Sequence, residues 1–149
     1  MSSHGSDLKS YQENIARYQE FKALLATIDE VLQQRSATID QVSDMIAQLG
    51  DRLAKHFASE EDGGYFAEAL SNAPQLVSKA NALLAQHPKM CTLAESLAAD
   101  LQARKGTSTD WWARTSKLFQ AFRDEFMRHE TQENGLLQDA YHQDIGTTD

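Results

Sequence analysis

The stretch "IDQVSDMIAQLGDRLAKHFASEED", residues 39–62, decides the fold. Val42, Met45, Ile46, Leu49 and Leu53 recur at steps of three and four, so they share one face of a helix. The same stripe then runs into His56, Phe57 and Glu60. Leucine would pack better there, because a buried unpaired carboxylate loses several kcal/mol to desolvation. A second stretch, "MRHETQENGLL" at residues 127–137, repeats the spacing with His129 and Glu133. Side chains four apart on a helix stand one turn above the other on the same face. Each His/Glu pair can therefore address one point.

Working outward, the chain divides into four long helical stretches. The first runs from about Asp7 to Gln34, with Leu8, Tyr11, Ile15, Tyr18, Phe21, Leu25, Ile28 and Leu32 as its apolar stripe. Thr38 and Gln41 form a capping box that starts the second helix at Ile39. Gly63 and Gly64 loosen or end it, and Asn72 with Pro74 suits a new start. The third helix runs from Pro74 to about Lys105, with a kink expected at Pro88, beside His87. The fourth runs from Trp111 to about Gln143, and Thr115, Leu118, Phe122, Phe126, His129, Glu133 and Leu136 share its face. No strand pattern competes. Four amphipathic helices with short connections pack most simply as an all-α, antiparallel up-down-up-down four-helix bundle. The expected domain covers 7–143, with tails at 1–6 and 144–149.

Composition narrows the function. The chain has 149 residues, 41% of them hydrophobic and 24% charged, which suits one soluble domain. A net charge of −8 argues against nucleic acid, whose phosphates require clustered Lys and Arg. No apolar run approaches the ~18 residues of a membrane span. The polar N-terminus lacks the apolar core of a signal peptide, and Cys91 has no second cysteine to pair with. A cytoplasmic protein with no membrane partner is expected. Neither a Ser/His/Asp arrangement nor a glycine-rich phosphate loop is present, and the Glu-x-x-His pairs of ferritin-like di-iron oxidases are missing from the core, so the enzyme question stays open and a di-iron oxidase ranks below a binding protein.

The polar core residues fall at matched heights. At about 1.5 Å per residue, His56 lies roughly 27 Å beyond the cap at Thr38. His129 lies roughly 28 Å beyond Asp110, and His87 roughly 28 Å before Gly106. In an antiparallel bundle these heights coincide. Three imidazoles, with the carboxylates of Glu60 and Glu133, then converge in the interior. A cation relieves both the desolvation and the repulsion of such a cluster, and these donors suit iron, manganese or zinc. His4 and His142, near the termini, are read as solvated, and the acids after Glu60 as surface.

At "HFASEEDGGYF", "AQHPKMCTLAESL" and "FRDEFMRHETQENGLL" the chain resembles the hemerythrin-like (HHE) domain family. The resemblance implies a non-haem di-iron centre, with His56 and Glu60 as ligands on the second helix, His87 on the third, and His129 and Glu133 on the fourth. It also implies a small gas such as O2 as the ligand partner, or a role in iron handling. Phe21, Phe57, Phe122 and Phe126 would wall the centre. Two departures stand out. The first helix has no histidine between Leu8 and Gln34, and the expected position falls at Phe21, with Tyr18 and Glu20 beside it. On the third helix, a second ligand maps either onto Cys91, four residues after His87, or onto His87 itself with Leu83 at the first place. The alternative is a bundle that has lost its metal and serves as an interaction module.

Overall fold

A computed structural model describes residues 3–62, 65–71, 73–106 and 110–147. Six α-helices and one 3-10 turn account for nearly all of them: α1 (Ser3–Gln34), α2 (Ile39–Asp62), α3 (Tyr65–Ser71), the turn Pro74–Leu76, α4 (Val77–Leu84), α5 (Gln86–Ala103) and α6 (Trp111–Thr147). There is no strand among the described residues. Gly63, Gly64 and Asn72 lie outside them, as do the side chains of His4, Leu8, Tyr11 and His142. No helix among the described residues is long and apolar enough to cross a membrane.

The expected cap forms. Thr38 N–H donates to Gln41 Oε1 at 2.9 Å, and Gln41 N–H donates to Thr38 Oγ1 at 3.1 Å. Two free donors at the start of α2 are thus satisfied reciprocally. Upstream, Arg35 adopts a left-handed conformation with φ 50°, and Ser36 N–H reaches back to Val31 C=O at 3.2 Å. That closure turns the chain out of α1.

Neighbouring long helices run in opposite directions. Asn14 of α1 meets Glu60 near the end of α2. Asp40 of α2 pairs with Lys105 beyond α5, whereas Glu61 of α2 reaches His87 at the start of α5. Trp111 of α6 donates to Leu101 C=O of α5, while His129 meets Gln86. Finally, Gln33 meets Ser116, and Tyr18 meets Phe126, closing α6 onto α1. The interior holds Phe21, Leu25, Ile28, Val42, Ile46, Leu49, Leu53, Leu101, Trp111, Phe119 and Phe126, all 5% exposed or less.

Three local expectations are revised. The third stretch is not one kinked helix: it breaks at Ala85, between α4 and α5. Proline clashes with the carbonyl four residues earlier, which for Pro88 is that of Leu84, the last residue of α4. Pro88 therefore sits in the first turn of α5 and not at a mid-helix bend. Second, Ile15 is 40% exposed, while Asn14 is buried at 7%. Third, Phe119, not Leu118, is fully buried on α6. The helices also run further than the sequence reading placed them, α1 from Ser3 and α6 to Thr147.

A smaller core covers one end of the bundle. Phe66, Ala69, Ala73, Ala80, Leu83, Leu136, Leu137 and Ala140 pack together, so α3 and α4 close over the last third of α6.

Candidate metal centre

The centre lies where α2, α5 and α6 meet, one turn above the main apolar core. His56, Glu60, His87, His129 and Glu133 are each 3% exposed or less. The matched heights inferred from residue spacing hold: all five side chains converge. Glu130 joins them, at 2% exposure.

The donors sort into two triads. In one, Glu133 Oε2 lies 2.9 Å from His87 Nε2 and 3.0 Å from His129 Nε2, and the two ring nitrogens are 3.1 Å apart. In the other, His56 Nε2 lies 3.5 Å from Glu60 Oε2 and 3.2 Å from Glu130 Oε1. Glu60 links them, since its Oε1 stands 3.4 Å from His87 Nε2.

Proton counting tests whether a cation fits. A ring nitrogen carries at most one hydrogen. His87 Nε2 nevertheless faces Glu60, Glu133 and His129 together. His129 gives its Nδ1 hydrogen to Gln86 Oε1 at 2.8 Å, so in the neutral ring Nε2 is a lone pair aimed inward. Glu60 Oε1 and Glu133 Oε1 are buried without a hydrogen-bond partner. The cluster holds more acceptors than protons, which is the condition a cation satisfies.

Outer contacts aim the rings. His87 Nδ1 bonds Glu61 Oε2 at 2.8 Å. Phe57 stacks on His87, ring centroids 3.7 Å apart and 2° from parallel, and meets His129 edge-on at 5.5 Å. Such contacts fix the tautomer and orientation of a ligating imidazole. His56 differs: its Nδ1 is buried with no partner.

Without a metal, protons must do the neutralising. Burial, then the negative charges of Glu133 and Glu130, push the Glu60 carboxyl far above the ordinary range. Burial alone would raise Glu133 as well, but hydrogen bonds from His129 and His87 outweigh it and hold that carboxyl low. Burial alone would lower His87, yet its hydrogen bonds to Glu133 and Glu61 win and favour the imidazolium.

Not every expected wall residue faces the centre. Phe126 does, its ring 6.2 Å from that of His56. Phe21 packs on Phe126 at 4.7 Å and lines the same groove as His56. Phe122 lies one turn further from the site on α6 and lines the α5–α6 groove with Leu93, Leu97 and Leu118. From α1, Asn14 Nδ2 donates to Glu60 Oε2 at 3.2 Å, and the Tyr18 ring lies 6.3 Å from His56. Cys91 joins neither triad; it packs against the core, with its thiol pushed up by burial and by Glu95 and Glu61. Leu83 belongs to the smaller core.

Asn14, Gln86, Glu61 and Glu130 also reach the centre, outside the His/Glu spacing of the sequence. Two carried a signal. Stepping back by three and four from Leu32 through Ile28, Leu25, Phe21 and Tyr18 lands on Asn14. Glu130 lies four residues after Phe126, as Glu133 does after His129. Gln86 and Glu61 carried none, since their role depends on where a neighbouring helix places an imidazole.

No curated protein and no solved structure matches the chain. The family model of the hemerythrin HHE cation-binding domain matches residues 16–141. With a buried His/Glu cluster at the heart of that span, the chain belongs to the hemerythrin HHE cation-binding domain family.

Proposed function

We propose that this protein holds iron in the bundle core as a non-haem centre of one or two ions. Its role in this reading is to bind or sense a small gas such as O2, or to handle the iron itself. The observation that carries it is the surplus of acceptors around His87 Nε2. Imidazole and carboxylate donors suit ferrous iron, with manganese and zinc as chemical competitors. Bound ferrous iron supplies electrons and an open coordination position. The chain supplies the rest. Phe57 and Phe126 exclude bulk water from the imidazoles, which slows loss of a reactive state. Glu60 holds a proton at its carboxyl in the empty protein and gives it up when a cation enters. A groove of 580 Å³ between α1 and α2 reaches His56, lined by Arg17, Phe21, Gln48 and Arg52 among others, and offers small molecules an approach. A cytoplasmic setting belongs to the same proposal.

The test is anaerobic loading with ferrous iron, followed by metal analysis and then admission of air. Iron at one or two ions per chain, removed by His87→Ala with His129→Ala, supports the metal reading. A visible absorption band that grows on exposure to air supports gas chemistry. Full iron loading with no spectral change in air leaves iron handling and excludes O2 binding. No retained metal at all favours an interaction module.

A further inference from the structure

Helix α6 carries its donors on two adjacent stripes. His129 and Glu133 stand one turn apart and face His87 of α5. Glu130 lies about 100° further round the helix. It faces a different neighbour, His56 of α2, with Oε1 3.2 Å from the ring Nε2. Nothing in the two His/Glu pairs of the sequence requires this third acid. Burying two ionised carboxylates side by side costs several kcal/mol unless one of them holds a proton or a cation lies between them.

Resting on the reading that the core binds cations, we infer that Glu130 closes a second, carboxylate-rich cation site with His56 and Glu60, and that this site fills after the imidazole-rich one. The three donor atoms lie within 4.8 Å of one another, on side chains 1%, 3% and 2% exposed. The two carboxyl oxygens of Glu60 look into different halves, Oε2 toward His56 and Oε1 toward His87. Glu60 Oε1 has no hydrogen-bond partner there. One carboxylate thus spans both positions.

Helix α1 flanks this triad without an imidazole, since it has no histidine between Leu8 and Gln34. That helix presents Asn14, which holds Glu60 Oε2 through its Nδ2, and Tyr18, which packs beside His56. The halves differ in chemistry. His87, His129 and Glu133 offer two nitrogens and one oxygen, whereas His56, Glu60 and Glu130 offer one nitrogen and two oxygens.

The order of filling follows from how each half is held. The outer nitrogens of His87 and His129 are tied to Glu61 and Gln86, so those rings are aimed before a cation arrives. His56 Nδ1 has no such tie. Its triad must also gather two carboxylates that repel each other. The first cation goes to the prepared half. The second, a hard divalent ion such as Mn2+ or Fe2+, goes to the oxygen-rich half.

The test titrates the full chain anaerobically with Mn2+ and, separately, with Mössbauer-active ferrous iron. Expected are two binding steps, the second weaker by about tenfold or more. The first iron gives one Mössbauer doublet, and the second adds a distinct one from its oxygen-rich surroundings. Glu130→Gln keeps the first step and its doublet but weakens the second by more than about tenfold. The Mössbauer comparison needs only the wild-type chain, so it stands even if the variant fails to fold. Two equal steps with identical doublets, or an unaltered second step in Glu130→Gln, overturn the inference. A wild-type chain that takes one ion overturns it too, and leaves the metal reading intact. A chain that takes none sinks both.

Discussion

Phe57 and His87 lie face to face, ring planes 2° apart and centroids 3.7 Å apart, although they come from different helices. Phe57 is the residue next to His56, so α2 supplies both a donor for one triad and the surface that holds a ring of the other. Replacing Phe57 with Ala removes that surface and opens a cavity. The expected loss is about 3 kcal/mol of folding stability, measured by urea denaturation of the metal-free protein. Phe57→Leu keeps most of the volume but not the flat face. Its metal affinity falls while its stability changes by only about 1 kcal/mol. Equal affinity in wild type and Phe57→Leu would show that the stack does not aim His87.

Glu61 follows Glu60 on α2 as a surface acid, and half of its side chain is exposed, at 49%. Its Oε2 nevertheless takes the outer hydrogen of His87 at 2.8 Å. Glu61→Ala leaves that ring free to turn. Metal affinity is expected to fall about tenfold or more, with little change in the stability of the empty protein. Competition with a chelator of known affinity measures the first quantity, and thermal unfolding the second. Unchanged affinity would assign the contact to the surface alone.

The metal-free protein should lose stability as pH rises from the mildly acidic range. Glu60 is raised in the folded state, so above the ordinary value of 4.5 the fold keeps a proton that the unfolded chain has released. His87 is raised as well and adds the same sign above 6.5. Glu133 is lowered to about 2 and acts oppositely: its contribution is complete above 4.5 and disappears as pH falls toward about 2. Stability of the empty chain should therefore peak between these regions and decline toward neutral and alkaline pH. A bound cation takes the place of the protons and reverses the slope. Melting temperatures from pH 5 to pH 8, with and without metal, check this, and a rising trend in the chelated protein would contradict it.

Chelation should also lower the melting temperature at fixed pH. A ligand at one hundred times its dissociation constant stabilises the folded state by about 2.7 kcal/mol. His56→Ala with His129→Ala should abolish the difference between chelated and loaded samples, because each triad loses an imidazole. A loaded double variant that still melts higher than its chelated form would locate the cation elsewhere.

Arg35 offers a check remote from the centre. Its φ of 50° is a conformation that side chains with a Cβ resist. Arg35→Gly should raise stability by about 1 kcal/mol and leave metal affinity unchanged. Urea denaturation at the pH of greatest stability reads it directly.

Periodicity alone carried much of the architecture. Steps of three and four in Val42 to Leu53 and in Phe21 to Leu32 specify helices, because only that spacing puts apolar side chains on one face. The Thr38/Gln41 cap is equally local, as both partners lie within one turn. The convergence of five of the six central side chains was also legible, since His/Glu pairs four apart must stack and residue counts set their heights. Tertiary structure decided the remainder. Glu130 joins the centre because the packing of α6 on α2 sets its carboxylate against His56. Asn14 and not Ile15 turns inward because the bundle, not the hydrophobicity of one position, sets the rotation of α1. Glu61 and Gln86 acquire partners across a helix interface, and no spacing within one helix encodes a distance to another.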